Sequence, residues 1–285
     1  MPTVLSIANY NMHCGMDGWG RPYDFVDSIA MLDADVVVLE ETWTATGDTS
    51  GGQAAEVAQR LGYQLVAHEM AAGRRIRPQP DADDRWIAQP SMRDTNRALY
   101  IDGVRPMRPS VYAMERWKQA EPGAMGVAVL VRPRLPIEGS RLLHLRHLRR
   151  DRLHRTAVVV DLTVGGRPIS VAGVHMAHLV AGSPLHFAEL RRRLHTEARP
   201  DAVLVGDMNA WGPVVRLLMP GWHRAVIGRS WPAWKPHSQI DHILVRGALR
   251  PRAGGVLPHA GSDHRPIRAE IEVGTPAEKA RATRT

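Results

Sequence analysis

The chain has a single cysteine, Cys14, among its 285 residues. One thiol excludes an intramolecular disulfide and a zinc site built from several cysteines. Phenylalanine is almost as scarce, with 2 residues, so Val, Leu, Ile and the 8 tryptophans must fill the core. No window approaches the roughly 20 uninterrupted apolar residues of a membrane span, and no signal peptide is recognisable. These absences predict a cytoplasmic protein without a transmembrane segment.

Lysine is also rare. Nearly all of the 37 basic residues are arginines, and they outnumber 29 acidic residues to give a net charge of +8. Arginine pairs with phosphate oxygens through a planar, bidentate fork, so the bias is compatible with a phosphate-bearing substrate. A genome that favours arginine codons explains the same bias. Charge alone therefore selects no function.

Apolar patterning predicts strands and helices in alternation near the N-terminus. Val4 to Asn11 has a strand pattern that ends in polar residues. The stretch "PYDFVDSIAMLDAD" has helical apolar spacing, and "DVVVLEE" is an apolar run typical of a strand buried on both faces, with Glu40 and Glu41 at its end. Thr49 or Ser50 is expected to cap a helix over "GQAAEVAQRLG".

The second half of the chain shows the same mixture. "TAVVVDLTVGGRPISVAGVH" predicts a hairpin that ends at His175, and Ser183 is predicted to be the N-cap of a helix whose first residue is the following proline. "DAVLVGDMN", "QIDHILVR" and "HRPIRAEIEV" are predicted strands. These elements predict one mixed α/β domain over residues 1–273, with a variable insertion at about 74–121 and a disordered tail at 274–285.

Polar clusters recur where these apolar runs end, which is where ligand sites gather. Carboxylates, an amide and imidazoles converging there would suit a hard cation such as Mg²⁺ or Mn²⁺. Each of these polar residues, considered alone, has a structural explanation, because Asp and Asn after a strand usually stabilise a turn. The clusters contain Asn11, His13, Glu40, Glu41, His175, Asp207, Asn209, Asp241, His242, Asp263 and His264.

The ordered set of motifs resembles one family. "NYNMH", "DVVVLEE", "GVAVLVR", "VAGVHMAH", "LVGDMNAW", "QIDHILV" and "GSDHRPI" occur in the order seen in the endonuclease/exonuclease/phosphatase superfamily. The resemblance extends from about residue 4 to residue 272 and is weakest from Arg74 to Glu121. It implies a four-layer α/β sandwich of two mixed β-sheets flanked by helices. It also implies divalent-metal-dependent hydrolysis of phosphate esters.

The resemblance also implies roles for individual residues. The metal ligands would be Glu41, Asn11 and Asp263, with Mg²⁺ as the cofactor and Mn²⁺ as an alternative. His264 would be the imidazole that faces the phosphoryl oxygen, and Asp241 would orient it. The remaining catalytic candidates are Asp207 and Asn209, which would orient water and phosphate, and His175, which would bind phosphate.

Two positions depart from the family pattern. Glu40 stands where the family usually has glutamine, and His13 stands where Asp or Gln is common. An additional acid and an imidazole beside the metal would change its preference, and a bias toward Mn²⁺ is one expectation. Arg265 is expected either to brace its loop by pairing with a carboxylate or to contact phosphate.

The expected function is that of a phosphodiesterase or nuclease, acting as a monomer on a phosphate-ester substrate, with nucleic acid among the candidates. A phosphomonoesterase for lipid or inositol phosphates is an alternative. A non-catalytic phosphate-binding or nucleic-acid-binding module of the same fold is another, although such a module should lack some of the candidate residues, and all are present. The segment "RLLHLRHLRRDRLHR" would serve as a substrate-facing patch or a solvated connection.

Overall fold

The chain folds into two β-sheets that pack face to face with helices on both outer sides. The computed structural model describes residues 3–18, 21–76, 99–101, 120–151 and 153–274. Most of the segment expected to be a variable insertion, including the possible strand "VRPMRPSVYAM", lies outside these residues, as does the expected disordered tail beyond residue 274. The four-layer α/β sandwich expected from the sequence is confirmed.

The first sheet has seven strands in the order β12-β13-β1-β2-β5-β3-β4. Valine-rich runs build its centre, as expected for residues that suit a pleated, buried surface. Only β1 and β2 pair in parallel; all its other neighbours are antiparallel. Its strands are β1 (Thr3–Asn11), β2 (Val36–Ala45), β3 (Gln64–Ile76), β4 (Leu99–Ile101), β5 (Ala120–Val131), β12 (Leu249–Val256) and β13 (Ile267–Val273).

The second sheet has six strands in the order β10-β11-β9-β8-β7-β6. It repeats the plan of the first, because its only parallel pair, β8 with β9, is flanked by antiparallel neighbours. The predicted hairpin is present as β7 and β8. The strands are β6 (Ile137–His144), β7 (Thr156–Val164), β8 (Arg167–His175), β9 (Ala202–Asp207), β10 (His223–Arg224) and β11 (Asp241–Arg246).

Four α-helices are described: α1 (Phe25–Ala30), α2 (Gly52–Leu61), α3 (Ser183–Glu197) and α4 (Gly212–Leu218), with short 3₁₀ turns at His13–Gly15 and Leu179–Ala181. Two cap expectations were wrong. Gly51 precedes α2 with φ 89°, in place of Thr49 or Ser50, and Gly182 precedes α3 with φ 100°. Glycine adopts these left-handed conformations without the Cβ clash of other residues.

Three apolar layers hold the sandwich together. The central layer lies between the sheets and includes Val36, Val38 and Val129 from the first sheet and Val160 from the second. A second layer packs α3 and α4 on the outer face of the second sheet, and a third packs α1 and α2 on the outer face of the first. The site-bearing strands are therefore buried on both faces.

A β-bulge interrupts β2 at Glu41, which has φ 50°. The expectation that the strand ends at Glu40 and Glu41 was wrong, because it continues to Ala45. Strand residues alternate between faces, so an unbroken strand would put Trp43 on the helix side with Leu39. Trp43 instead packs in the layer between the sheets. The bulge therefore shifts the alternation at the residue expected to bind metal.

The two parallel pairs bring polar residues to the same edge of the sandwich. Asn11 pairs with Glu40 at the end of β1, and His175 pairs with Asp207 at the end of β8. Asp241 opens β11 opposite Asp207, so it begins a strand and does not end one as its motif had indicated. Because β11 is antiparallel to β9, its first residue reaches the edge where β9 finishes.

Within the described residues, no helix is long and apolar enough to cross a membrane.

Gly206, directly before Asp207, provides a test of this edge. Its φ is 149°, and a Cβ built there would lie 1.9 Å from the Val174 carbonyl oxygen. We expect Gly206→Ala to lower the free energy of unfolding by roughly 2 kcal/mol or more, through backbone strain and overpacking. Denaturant unfolding measures the change.

Gly221→Ala is the matched control, because Gly221 has φ 81° and nothing within 4 Å of the added methyl group. It should show only the cost of the left-handed backbone, about 1 kcal/mol. Equal losses in the two variants would mean that the close approach to Val174 contributes nothing.

Candidate active site

Asn11, Glu41 and Asp207 meet at the edge where the two sheets face each other. The Asn11 side-chain nitrogen donates to Glu41 Oε1 at 3.1 Å and to Asp207 Oδ2 at 3.3 Å. Its oxygen accepts from the His13 backbone N–H at 3.0 Å, which orients the amide. Residues from the first and second sheets thus share one cluster, although 196 positions separate Asn11 and Asp207.

Asp207 is buried beside other acids. Burial, with repulsion from Asp241, raises the pKa of Asp207 to about 7. Its Oδ1 accepts from the Asn209 backbone N–H at 2.8 Å, while the Asn209 side chain donates to the Met176 carbonyl at 2.9 Å. Asn209 itself has φ 47°, a turn conformation that asparagine tolerates better than most residues. The carboxyl group therefore has one oxygen held by its own loop and one facing the cluster.

His175 lies against the same carboxylates through its Nε2, at 3.9 Å from Glu41 Oε1 and 3.7 Å from Asp207 Oδ2. Burial, together with the positive charge of Arg155, lowers the pKa of His175 well below its usual value. The imidazole is therefore neutral near pH 7. Arg155 also donates to the His175 carbonyl at 3.1 Å and forms a buried ion pair with Asp151 at 2.8 Å.

His264 and Asp241 form a buried pair. The His264 Nδ1 lies 3.0 Å from Asp241 Oδ2, and its Nε2 lies 3.9 Å from Asp207 Oδ2. Burial opposes the charged imidazolium, but Asp241 and Asp263 outweigh it and raise the pKa of His264 well above its usual value. The Ser230 hydroxyl donates to Asp241 from the other side. Asp241 thus orients the ring and keeps it protonated.

Asp263 lies on the flank of the cluster. Its Oδ1 is 3.7 Å from His13 Nδ1, and its Oδ2 accepts a 3.4 Å hydrogen bond from the Trp231 indole. Burial opposes its ionisation, but His13 and His264 prevail and lower the pKa of Asp263. The Trp231 ring centroid is 6.5 Å from that of His264, so "WPAWKP" contributes an aromatic residue beside the site.

Arg265 braces the turn that carries Asp263 and His264. Its Nε donates to the Ala233 carbonyl at 2.8 Å, and its backbone N–H donates to the Ser230 carbonyl at 2.8 Å. The Arg265 side chain therefore binds a backbone carbonyl. One expectation had been that it would pair with a carboxylate. Ser230 thereby holds the turn through its carbonyl and Asp241 through its hydroxyl.

Glu40 lies next to the cluster, beside the Gly206 backbone, and has no exposed surface. The Asn9 side-chain nitrogen lies 2.6 Å from each of its carboxyl oxygens. Burial, with the charges of Asp241 and Asp207, raises the pKa of Glu40 well above its usual value. A protonated carboxyl group is uncharged and hydrogen-bonds much as the glutamine amide does. The raised pKa therefore opposes the additional negative charge that was expected at this position.

The carboxylates of the cluster fit a divalent cation. Among the described residues, no lysine or arginine forms an ion pair with Glu41, Asp207 or Asp241, so only histidines oppose their charge. Oxygen-rich sites of this kind suit Mg²⁺ and Mn²⁺. Atoms of Asp207, Asp241 and His264 also lie within 4.8 Å of one another. Because His264 and Asp241 already share a hydrogen bond, we interpret that group as a hydrogen-bonded pair directed at Asp207.

The structure thus gathers most of the predicted residues. Contacts within 4 Å join Asn11, Glu41, His175, Asp207, Asn209, Asp241 and His264, and Asp263 connects through His13 and Trp231. Sequence reasoning missed Asn9, Arg155 and Ser230. The four-residue spacing of Asp151 and Arg155 was a visible signal for an ion pair, whereas nothing in the sequence marks Ser230 as a partner of Asp241.

The chain belongs to the endonuclease/exonuclease/phosphatase family, whose model matches residues 8–264. This confirms the resemblance drawn from the motifs. By its description the family comprises endonucleases, exonucleases and phosphatases, and the described cluster fits the divalent metal dependence of such phosphoester hydrolases.

Solved structures show the same fold at low sequence identity. An endonuclease/exonuclease/phosphatase from Beutenbergia cavernae is 18% identical with a TM-score of 0.64, over 95% of this chain and 72% of that one. The human nocturnin catalytic domain with bound sulfate is 14% identical with a TM-score of 0.60, over 95% and 93%. TDP2 from C. elegans is 12% identical with a TM-score of 0.54, over 95% and 75%. Comparison with curated protein sequences finds no match.

The buried acid at position 40 yields a stability prediction. Because its folded-state pKa is raised, the folded chain keeps a proton that the unfolded chain releases, and stability falls as pH rises above the unfolded pKa. Glu40→Gln keeps the hydrogen bond to Asn9 and removes this cost. We expect roughly 1–2 kcal/mol of added stability at pH 8, shrinking toward zero near pH 4.

Denaturant unfolding of metal-free protein across this pH range measures the difference from the wild type. Glu138→Gln, at an exposed position of β6, is the control and should show no pH-dependent gain. A loss of stability in Glu40→Gln at pH 8 would mean that the ionised carboxylate is the favoured form.

Proposed function

We propose that this protein is a metal-dependent phosphoester hydrolase that acts as a phosphodiesterase or nuclease. The observation that carries the proposal is the alignment of the His264–Asp241 pair with Asp207, whose oxygen lies 3.9 Å from His264 Nε2. A charged donor next to a carboxylate of raised pKa supplies both proton-transfer functions that ester hydrolysis needs. Glu41 and Asn11 stand beside them.

The proposed metal ligands are Glu41, Asn11 and Asp263. Asn11 would bind through its amide oxygen, which also accepts from the His13 backbone N–H. A bound divalent cation would offset the negative charge of the phosphate group and polarise the scissile bond. The candidate cluster supplies the rest of the chemistry from its own side chains. Mg²⁺ is the proposed ion, with Mn²⁺ as the alternative.

Asp207 is the proposed proton acceptor for the attacking water. Its pKa of about 7 lies near the working pH, which is the favourable range for a general base. The Asn209 backbone N–H holds its other oxygen, so the carboxyl group has a defined orientation. Asn209 is proposed to position the water and phosphate through its remaining amide oxygen.

His264 is the proposed donor to the developing phosphoryl charge, because Asp241 keeps it protonated. His175 is neutral and is proposed to donate a neutral hydrogen bond to a phosphate oxygen from Nε2. One charged and one neutral imidazole would thus face the substrate from the two sides of Asp207. This division follows from their partners, since an aspartate accompanies one ring and an arginine the other.

Diester hydrolysis is favoured over monoester hydrolysis by charge. A monoester dianion needs more positive charge near the phosphate than a diester monoanion, and among the described residues only histidines oppose the acids of the cluster. Monoesters of lipids and inositols remain the alternative, and a non-catalytic phosphate-binding protein is the other class. We also propose that the enzyme is cytoplasmic and monomeric; its free cysteine is compatible with a reducing compartment.

A substrate screen tests the proposal. Hydrolysis of bis(p-nitrophenyl) phosphate, single-stranded and double-stranded DNA, RNA, inositol phosphates and a phospholipid is measured with Mg²⁺ or Mn²⁺. Turnover of diesters above monoesters supports it. Turnover of monoesters alone would select the alternative, and binding without any turnover would select the non-catalytic class.

Metal removal should abolish activity and lower thermal stability. Activity is measured in excess chelator and after Mg²⁺ or Mn²⁺ is restored, and the melting temperature is followed over the same titration. Binding to the folded state alone stabilises by about 2.7 kcal/mol at one hundred times the dissociation constant. Glu41→Gln should lose this thermal shift and remain folded. Undiminished turnover in chelator would overturn the metal-dependent mechanism.

His264 and Asp241 should act as one unit. Each single substitution to alanine is expected to lower kcat by roughly 10² to 10⁴, the scale of losing a general acid or an oxyanion donor. The double variant should be little worse than His264→Ala, because groups that act together are not additive. Losses that multiply, in proteins that still fold and bind metal, would show that Asp241 does not work through His264.

A further inference from the structure

A second cavity lies beside the candidate active site and has no role in the proposed chemistry. It has a volume of about 290 Å³, at the lower end of the range of roughly 300–1,000 Å³ seen for small-molecule pockets. We call it the side pocket and define it by Tyr23, Phe25, Trp43, Asp48, Glu56 and Arg75. A space of this size holds one ring system and not a large ligand.

The side pocket shares a wall with the active site. Trp43 follows Glu41 by two residues on β2, which is about 7 Å along a strand. Cys14, which follows His13, presents its carbonyl to Arg75 at 2.6 Å and to Gln53 at 3.1 Å. Burial raises the pKa of the Cys14 thiol, as do Glu41 and Asp263, while Arg75 lowers it. Cys14 is therefore close to both the proposed metal ligands and the side pocket.

The walls of the side pocket combine aromatic rings with carboxylates. Tyr23 and Phe25 supply partly exposed apolar surface, Trp43 borders the pocket as a buried side chain, and Asp48 and Glu56 supply hydrogen-bond acceptors. The positive charge of Arg75 is already engaged, because it pairs with Glu121 at 3.0 Å and lies over the Trp43 ring at 5.4 Å. The Arg75 Nε is buried without a hydrogen-bond partner in the described structure. One donor and two acceptor groups thus border an aromatic space.

This composition disfavours a second phosphate group. The Asp48 carboxylate accepts from the Ser50 backbone N–H at 2.8 Å and also from Gly52, so it occupies the start of α2 where an anion would otherwise bind. Glu56 adds a second negative charge one turn later. The carboxylates disfavour an anionic ligand, and the aromatic walls favour a flat ligand that offers hydrogen-bond donors to Asp48 and Glu56.

We propose that the side pocket binds an amino-bearing nucleobase of the substrate, next to the phosphate that the active site cleaves. Tyr23 and Phe25 stack on the base, and Asp48 and Glu56 accept hydrogen bonds from its exocyclic amino group. The inference rests on the proposed function, since the base would belong to a nucleotide phosphodiester. It adds a preference: adenine, cytosine or guanine over uracil or thymine.

The first arm of the test measures binding without catalysis. Adenosine, uridine and ribose are titrated into metal-free protein and followed by tryptophan fluorescence and saturation-transfer NMR. Adenosine should bind at least about fivefold more tightly than uridine, and ribose should not bind. Phe25→Leu and Glu56→Gln should each weaken adenosine binding by roughly fivefold or more, the scale of one stacked base.

The matched control for Glu56→Gln is Glu197→Gln. Both glutamates are exposed helix residues that pair with an arginine four positions away, Glu56 with Arg60 and Glu197 with Arg193. Glu197→Gln should leave adenosine binding unchanged. Melting temperatures of all variants show whether Phe25→Leu remains folded. If Phe25→Leu does not fold, Glu56→Gln, a substitution at the surface, still tests the same pocket.

The second arm measures turnover of two diesters, the p-nitrophenyl ester of 5′-AMP and methyl p-nitrophenyl phosphate. Both pocket variants should lower kcat/KM roughly tenfold for the nucleotide ester and leave the methyl ester within about twofold. If neither ester is hydrolysed, the proposed function is wrong, but adenosine binding still tests whether the side pocket binds a nucleobase. If both are hydrolysed and the variants change neither binding nor the ratio, the pocket assignment is overturned and the function stands. Equal binding of adenosine and uridine would overturn recognition of the amino group.

Discussion

Three carboxyl groups, Glu40, Asp207 and Asp241, are buried close together where the two sheets meet, and they cannot all be ionised without compensation. Each is accommodated by a different device. Asn9 hydrogen-bonds Glu40, whose raised pKa favours the protonated form, and Asp241 is held between Ser230 and the charged His264. Asp207 has only neutral donors and distant imidazoles, and it is left with a raised pKa. Because the three acids are stabilised differently, they have different roles. Glu40 is structural, Asp241 orients His264, and Asp207 is the candidate base.

The same requirement accounts for residues outside the cluster. His264 is charged and His175 is neutral, although both rings lie beside Asp207. The two rings therefore need neighbours of opposite charge. The loop between β6 and β7 supplies one of them, because its buried Arg155 points at the end of β8. Part of the arginine-rich segment is therefore a support for the site and not a solvated surface. Of the other described arginines in this segment, Arg141 pairs with Asp161, Arg146 pairs with Glu189, and Arg149 and Arg150 are exposed.

The sequence predicted the layered fold and nearly all of the clustered residues, because strand ends can be located from apolar runs and the ordered motifs are specific. The sequence did not predict the geometry of contacts between segments that are far apart along the chain. The bulge at Glu41 and the opening of β11 at Asp241 depend on pairing with neighbouring strands, which no local pattern reveals. The neutral state of Glu40 depends on burial between two sheets. Ser230 carries no motif, and its contact with Asp241 exists only in three dimensions.

The pairing of β1 with β13 also has a consequence for how the protein is made. Thr3–Asn11 and Ile267–Val273 are neighbours in the first sheet, although they lie far apart along the chain. Contacts between such distant segments require a large loop to close, which slows folding. The second sheet, built from one continuous stretch of chain, is free to form earlier. Asn11 and Glu41 would then meet His264 only after the segment that carries His264 has been made, and the nascent chain would be inactive until that point.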